Sequence, residues 1–343
     1  MRHSFFKISR FLNKIVLKKL FKLNYFVIYR CNSSCRICHI WKNYRTMEKE
    51  ELNIEKIQTI FQNIKNNLQW INLTGGEPFL WDDLSEIVLS AADIMKPLIL
   101  NIPTNGLMPK RARQFLDVLY QTRKTVKGVN IIVTVSIDAI DKMHDKIRGI
   151  DGAFKRAIES FNILSSSEMI KCYFQITISG YNIFVIEDIL STLSLYGHCV
   201  ITFAHKLDLY KNADEDMTVE NYKREIINFI NKFCKNNKIR ELPSIVTVLY
   251  LKGMKYFLVN GRLPVRCASL RSTITIDPFG NILTCPYKTT PVVNLEDYEF
   301  DPFKMLLTEK GYLLSGKRTR SVICAGRIVR QYLHCLYTPY IFL

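Results

Sequence analysis

The chain has 343 residues, 48% of them hydrophobic, enough for one large domain, or a large domain with a small one, around a sizeable core. No apolar run reaches the length of a membrane span, because lysines and arginines interrupt each candidate. Ten cysteines with no signal peptide point away from disulfides and toward metal binding in a reducing compartment, so a cytoplasmic location is expected.

The formal charge of +17 is concentrated at the start. Residues 1–47 hold no acidic side chain, and the first is Glu48. Phe5, Ile8, Leu12, Ile15, Val16 and Leu20 form a helical stripe, and Lys7, Arg10, Lys14, Lys18 and Lys22 fall largely off it. A basic amphipathic extension is therefore expected over residues 1–23. Such a helix lies on an anionic bilayer as a peripheral membrane contact, or grips an acidic partner. Packing against the fold with its lysines solvated is the commoner use.

From Asn24 the chain alternates short apolar runs with helical patterns. Strands are expected at Asn24–Tyr29, Trp70–Leu73, Pro97–Ile102, Val129–Ile137, Lys171–Ile178 and Cys199–Ala204. Helices are expected near Asn53–Asn66, Leu84–Met95, Lys110–Thr125, Ala153–Leu164 and Phe184–Tyr196. This alternation predicts an α/β fold with a parallel sheet, and six units over residues 24–240 predict a partial (β/α)6 TIM-like barrel. Beyond a helical stretch at Val219–Lys235 the character changes. Residues 241–343 are expected to form a small cysteine-bearing module, with a hairpin of Thr273–Ile276 and Ile282–Thr284 around Asp277-Pro-Phe-Gly280-Asn281.

Each unusual motif follows a predicted strand, at the end where parallel barrels keep their chemistry. After strand one comes Cys31-Asn-Ser-Ser-Cys35-Arg-Ile-Cys38. Three thiolates this close hold three corners of a cubane iron–sulfur cluster and leave the fourth iron open to a ligand, whereas electron carriers use four cysteines. The rival for the same residues is a Cys3His zinc site completed by His39. The C-x3-C-x2-C spacing resembles the signature of the radical S-adenosylmethionine (SAM) superfamily. After strand two, Leu73-Thr-Gly-Gly-Glu-Pro-Phe-Leu80 resembles that superfamily's GGE motif without a gap, where the turn holds the ammonium of the methionine moiety. The resemblance implies cofactor-binding roles for Gly75, Gly76 and Glu77; the glycines admit close backbone approach.

Ser136 and Asp138 alternate on strand four, so both are expected on one face, where hydroxyl and carboxylate suit a ribose. The superfamily's serine–apolar–aspartate strand matches them. Arg148 fits the same region and can pair with a carboxylate, or be a surface ion pair. Asn105, in Thr104-Asn105-Gly106 after strand three, is a further cofactor-binding candidate or a turn residue. His205, followed by Asp208 after strand six, is the candidate catalytic group, able to position substrate or move protons. Cys172, Cys199 and Cys234 read as packing residues.

In the C-terminal module, Cys267, the hairpin Gly280 and Cys285 resemble the opening of the auxiliary-cluster domains called SPASM and twitch. Cys324 and Cys335 would complete the four ligands of one further 4Fe–4S cluster, although twitch domains usually space the last two more closely. The implied enzyme cleaves SAM at a 4Fe–4S cluster and abstracts hydrogen from a peptide or small molecule, with an electron donor such as flavodoxin or ferredoxin. The residues before Asn24 are too few for a leader-binding domain. The rival reading is a non-enzymatic zinc- or nucleic-acid-binding protein. It leaves the Gly-Gly-Glu turn and the Ser136/Asp138 pair without a role, and no recognisable nucleic-acid module is present.

Overall fold

The computed structural model describes residues 21–38, 40–43, 50–65, 68–205, 215–236, 242–262, 264, 269–270, 272–286 and 291–307. The basic extension lies outside them, apart from its last three residues, as do His39, Asp208, Cys267, Cys324 and Cys335. Six parallel strands run in sequence order: β1 Lys22–Ile28, β2 Trp70–Gly75, β3 Ile99–Thr104, β4 Asn130–Ser136, β5 Ile170–Ile178 and β6 Cys199–Phe203. Lys22 and Leu23 therefore begin the sheet instead of ending a helix.

Period-two patterning explains the strands. Leu23, Tyr25, Ile71, Leu73, Leu100, Ile102, Val133, Val135, Phe174, Ile176, Ile201 and Phe203 join one core, shared with the apolar stripes of the helices. The opposite face carries Trp70, Ile99, Ile132, Tyr173 and Val200 at its lower end, a second apolar cluster joined by Phe21. The Lys22 ammonium lies 4.1 Å from the Trp70 ring centroid.

Helices fill the connections. Ile54–Ile64 is capped by Asn53, whose Oδ1 accepts from the Lys56 N–H at 3.1 Å. Leu84–Ser90, Pro109–Gln121, Ala153–Ser165, Ile186–Ser194 and Lys223–Asn236 follow the expected positions. Among the described residues, two helices of eight residues or more were not expected. Asp141–Arg148 fills the turn after β4, and Leu242–Asn260 packs on the end of β6, with Tyr250 against Phe203 and Phe257 against His205. The latter helix is apolar nearly all round and rich in β-branched residues, so it carries no stripe to read.

The hairpin forms as expected but does not stand apart. β7 (Thr273–Ile276) pairs in parallel with β1, and β8 (Asn281–Leu283) and β9 (Pro291–Asn294) continue antiparallel, giving the sheet order β6-β5-β4-β3-β2-β1-β7-β8-β9. The sheet stays open, and its β1 edge is covered by the chain's own later segment.

Candidate active site at the C-terminal ends of the strands

The cysteine loop is held chiefly by the helix Asp141–Arg148. The Ser34 N–H and Ser33 hydroxyl donate to the Arg148 carbonyl at 3.1 and 3.0 Å, the Arg36 N–H donates to Ile147, and the Ser34 hydroxyl donates to Gly149. Gly149 ends that helix at φ 66°, and a Cβ there would sit 2.6 Å from Ser34. On the loop's other flank Phe279, from the hairpin turn, joins Phe26, Tyr29 and Ile40 in an apolar cluster against Cys31 and Cys38. Asp277 fixes that turn by accepting from the N–H groups of Phe279 and Asn281 and from the Asn281 side chain.

The three thiols share one pocket with polar hydrogens on their sulfurs. Arg148 Nη1 donates to Cys35 Sγ at 3.7 Å, the Ser33 hydroxyl lies 3.0 Å from the same sulfur, and Asn105 Nδ2 donates to Cys31 at 3.8 Å. Burial, with the nearby charges of Glu77 and Cys35, pushes the Cys31 thiol up to about 12, and burial drives Cys38 up as well. Occupying the site therefore requires displacing protons from at least two thiols. Among the described residues no three His, Cys, Asp or Glu side chains converge closely enough to hold one ion.

The Gly-Gly-Glu turn has a structural part beside the cofactor binding expected of it. A Cβ on Gly75 would lie 2.0 Å from the Ile28 carbonyl oxygen, and one on Gly76 would lie 2.2 Å from that of Arg30. Both glycines are required by the end of β1, not only by a ligand. The Gly76 and Glu77 N–H groups donate to Ile28 and Arg30. With those amides taken, the turn offers a ligand its carbonyl oxygens, which suit an ammonium. Glu77 is buried and ties β2 to β3: Oε1 accepts from the Thr104 hydroxyl at 2.7 Å and the Phe79 N–H, and Oε2 accepts from the Asn105 N–H at 2.6 Å. Burial raises its pKa against these bonds. Asn105 is a turn residue that also lines the pocket. Its Oδ1 accepts from the Leu107 N–H as a turn residue, while Nδ2 holds Asn32 at 2.8 Å and reaches Cys31.

Ser136 lines the pocket, but Asp138 does not. β4 ends at Ser136, so the alternation no longer governs position 138, and its carboxylate, expected to face a ribose, lies outside the pocket lining. Asp138 is fully buried, with Oδ2 2.8 Å from Arg148 Nη2 and Oδ1 accepting from the Thr177 N–H. Burial works against the Arg148 charge, but Asp138 and Cys35 outweigh it and raise the pKa. Arg148 is thus a buried bridge from Asp138 to the cysteine loop, not a surface ion pair. His144 Nδ1 accepts from the Asp138 N–H at 3.1 Å, and burial followed by the Arg148 charge lowers its pKa to about 2.

His205 lies away from the pocket lining. It is buried, with Nδ1 3.2 Å from Glu220 Oε1 and its ring against Phe257, so the expected catalytic role is not supported by its placement. Cys285 is buried beside Pro286, which does line the pocket. Cys172 and Cys199 pack against the core as expected, their thiols raised by burial to about 12.

The pocket, about 250 Å³, continues down into the barrel. Its inner wall is polar: Asn24, Asn72, Asn101, Gln175, Thr177 and Thr202 all line it. Sequence reasoning missed these residues. The signal was there, since each sits at an every-second position between core residues on its strand. Interiors of parallel barrels are usually filled by branched apolar side chains, so polar residues in that register mark a chamber.

The family model of the radical SAM superfamily matches residues 25–196. The chain belongs to the radical SAM superfamily. A probable GTP 3',8-cyclase of Saccharolobus islandicus is 25% identical over 283 residues, covering 78% of this chain and 83% of that protein. The sporulation killing factor maturation protein SkfB of Bacillus subtilis is 30% identical over 142 residues, 40% of this chain and 31% of that protein. Among solved structures, native anSMEcpe with bound AdoMet and Cp18Cys peptide superposes with a TM-score of 0.60 at 12% identity, covering 86% of this chain and 82% of the other. Streptococcus suis SuiB bound to precursor peptide SuiA gives 0.58 at 14% identity, covering 93% and 72%. These likenesses establish the partial barrel. The three-thiol pocket, with carbonyl-rich turn and sulfur-directed hydrogens, fits the superfamily's cluster and SAM.

Proposed function

We propose that this radical SAM enzyme modifies a peptide by abstracting hydrogen from one of its C–H bonds. The observation that carries the reading is the single pocket that brings Cys31, Cys35 and Cys38 together with the Gly75-Gly76 turn and Ser136. The cysteines would hold a 4Fe–4S cluster, and with SAM bound that pair supplies a 5′-deoxyadenosyl radical after one-electron reduction. The protein's own residues do the positioning. The turn's carbonyls would accept the methionine ammonium, and Ser136 would face the ribose. Asp138 and Arg148 keep the loop's charge balanced from behind, and Phe279 keeps water from one flank of the thiols. Support for a peptide comes from the peptide-bound neighbours, which share the fold, and from the match to the maturation protein. Replacing Cys31, Cys35 and Cys38 together with alanine should abolish 5′-deoxyadenosine formation under dithionite; formation at the parent rate would sink the assignment.

Cys267, Cys285, Cys324 and Cys335 would hold an auxiliary 4Fe–4S cluster that takes the substrate's electron. Iron should then be near eight per chain and fall to about four in a Cys267→Ala/Cys285→Ala variant, by the ligand count of two cubanes. A flavodoxin- or ferredoxin-type donor would supply the first electron, and the basic extension would give peripheral membrane contact. No helix among the described residues is long and apolar enough to cross a membrane. A second reading, a nucleotide substrate, is favoured by the breadth of the cyclase match. Incubation with GTP followed by mass spectrometry decides between them: new nucleotide products would replace the peptide reading.

A further inference from the structure

We infer that the floor of this pocket is a carboxamide row that binds an amide group of the substrate. The register places Asn24 beside Thr275 on one side and beside Asn72 on the other, and Asn72 beside Asn101. Three carboxamides from adjacent strands thus lie side by side, about 4.8 Å apart, the spacing of neighbouring strands. All three line the pocket, one pleat above the apolar cluster of Trp70 and Ile99 that closes the barrel below.

Within the row the hydrogen bonds are incomplete. Asn24 Nδ2 donates to the Thr275 hydroxyl at 3.4 Å, and Asn101 Nδ2 donates to Asn72 Oδ1 at 2.6 Å. Asn101 is only 2% exposed, yet its Oδ1 has no hydrogen-bond partner among the described residues. A buried acceptor left unbonded is destabilising, and a ligand that donates to it relieves that cost. The partner must bring an N–H or O–H to Asn101. A carboxamide donates and accepts along one edge, so the groups that match it with two simultaneous bonds are a primary amide and the N–H and C=O of one extended residue. A phosphate or carboxylate would instead call for cations; the row itself is uncharged, and of the two cations in the lining Lys22 lies over the Trp70 ring and Arg148 is paired with Asp138. This deepens the peptide reading above and rests on it: a backbone or side-chain amide would anchor the substrate beneath the radical.

The test uses the full chain and saturation-transfer NMR. The probe is N-acetylglycine N-methylamide, with two N–H groups; the control is N-acetylsarcosine N,N-dimethylamide, which has none. The first should bind and the second should not. Asn101→Leu should weaken the first by about fivefold or more, the loss of one hydrogen bond. The thermal midpoint of that variant checks its folding. Should it fail to fold, the two probes on the parent protein still decide the matter. Equal binding of both probes, binding of neither, or undiminished binding to folded Asn101→Leu would overturn the floor's assignment. So would guanosine displacing the probe at lower concentration. Formation of 5′-deoxyadenosine by the parent is measured beside these. If it persists while the probe fails, the floor is wrong and the enzyme reading stands; if it is absent, the enzyme reading falls on its own evidence.

Discussion

At the residue scale, the buried pair Asp138–Arg148 carries the largest consequence. Asp138→Ala removes the partner of a guanidinium that is itself buried, and breaking such a pair costs about 3–5 kcal/mol. Urea unfolding should show that loss in the absence of any cofactor; unchanged stability with weakened SAM binding would restore the ribose role. His144 gives a pH signature. An unfolded histidine takes up a proton as pH falls through about 6.5, whereas this buried ring resists protonation down to about 2. The neutral ring therefore stabilises the fold fully above pH 6.5. That contribution is lost as pH falls further, by about 1.4 kcal/mol per unit. His144→Gln should flatten the parent's decline between pH 6.5 and 5; parallel curves would mean that the ring is protonated in place. These residues also mark what the sequence could and could not convey. Cys31, Cys35, Cys38 and the Gly-Gly-Glu turn were readable because short spacing along the chain is itself the signal. Arg148 was readable as a partner for some carboxylate, but not that the carboxylate is Asp138, because strand alternation stops at Ser136 and the pairing depends on a helix whose eight residues show little apolar content.

At the element scale, the C-terminal end of the helix Asp141–Arg148 is the clamp on the cysteine loop. Gly149→Ala adds a methyl group 2.6 Å from Ser34 at a positive φ, so it should cost more than the 1 kcal/mol or so of backbone strain alone. Gly128 also has a positive φ but nothing near its Cβ, and Gly128→Ala supplies the strain-only comparison. Iron loss to a chelator should quicken at position 149 and not at 128; equal rates would detach the clamp from the cluster. Gly76→Val should impair folding itself, seen as reduced soluble yield and a lowered thermal midpoint, because the branched side chain meets the carbonyls of Tyr29 and Arg30. The six strands were legible to within about two residues because their outward faces are continuously apolar. Their inward faces escaped notice for the opposite reason: alternate asparagines and threonines look like solvent-facing residues until the sheet curves them inward.

At the scale of the whole molecule, the hairpin belongs to the barrel's sheet. Sequence suggested a separate module because cysteine content and turn chemistry change there, whereas strand pairing across such a distance leaves no local mark. Thr275 is buried and paired with Asn24, so Thr275→Pro removes a ladder N–H and should expose the β1 edge. Soluble yield should fall and light scattering rise; a monomeric protein of parental stability would show the pairing to be dispensable. The same pairing sets a clock on synthesis. Asn24 and Thr275 are 251 residues apart, a stretch that a ribosome translates in about 13–50 s. Throughout that interval strand one has a neighbour on one side only, and the flank that Phe279 later closes is open. A nascent chain is therefore most vulnerable to pairing with other chains, and most accessible to incoming iron and sulfide, before its last strands emerge.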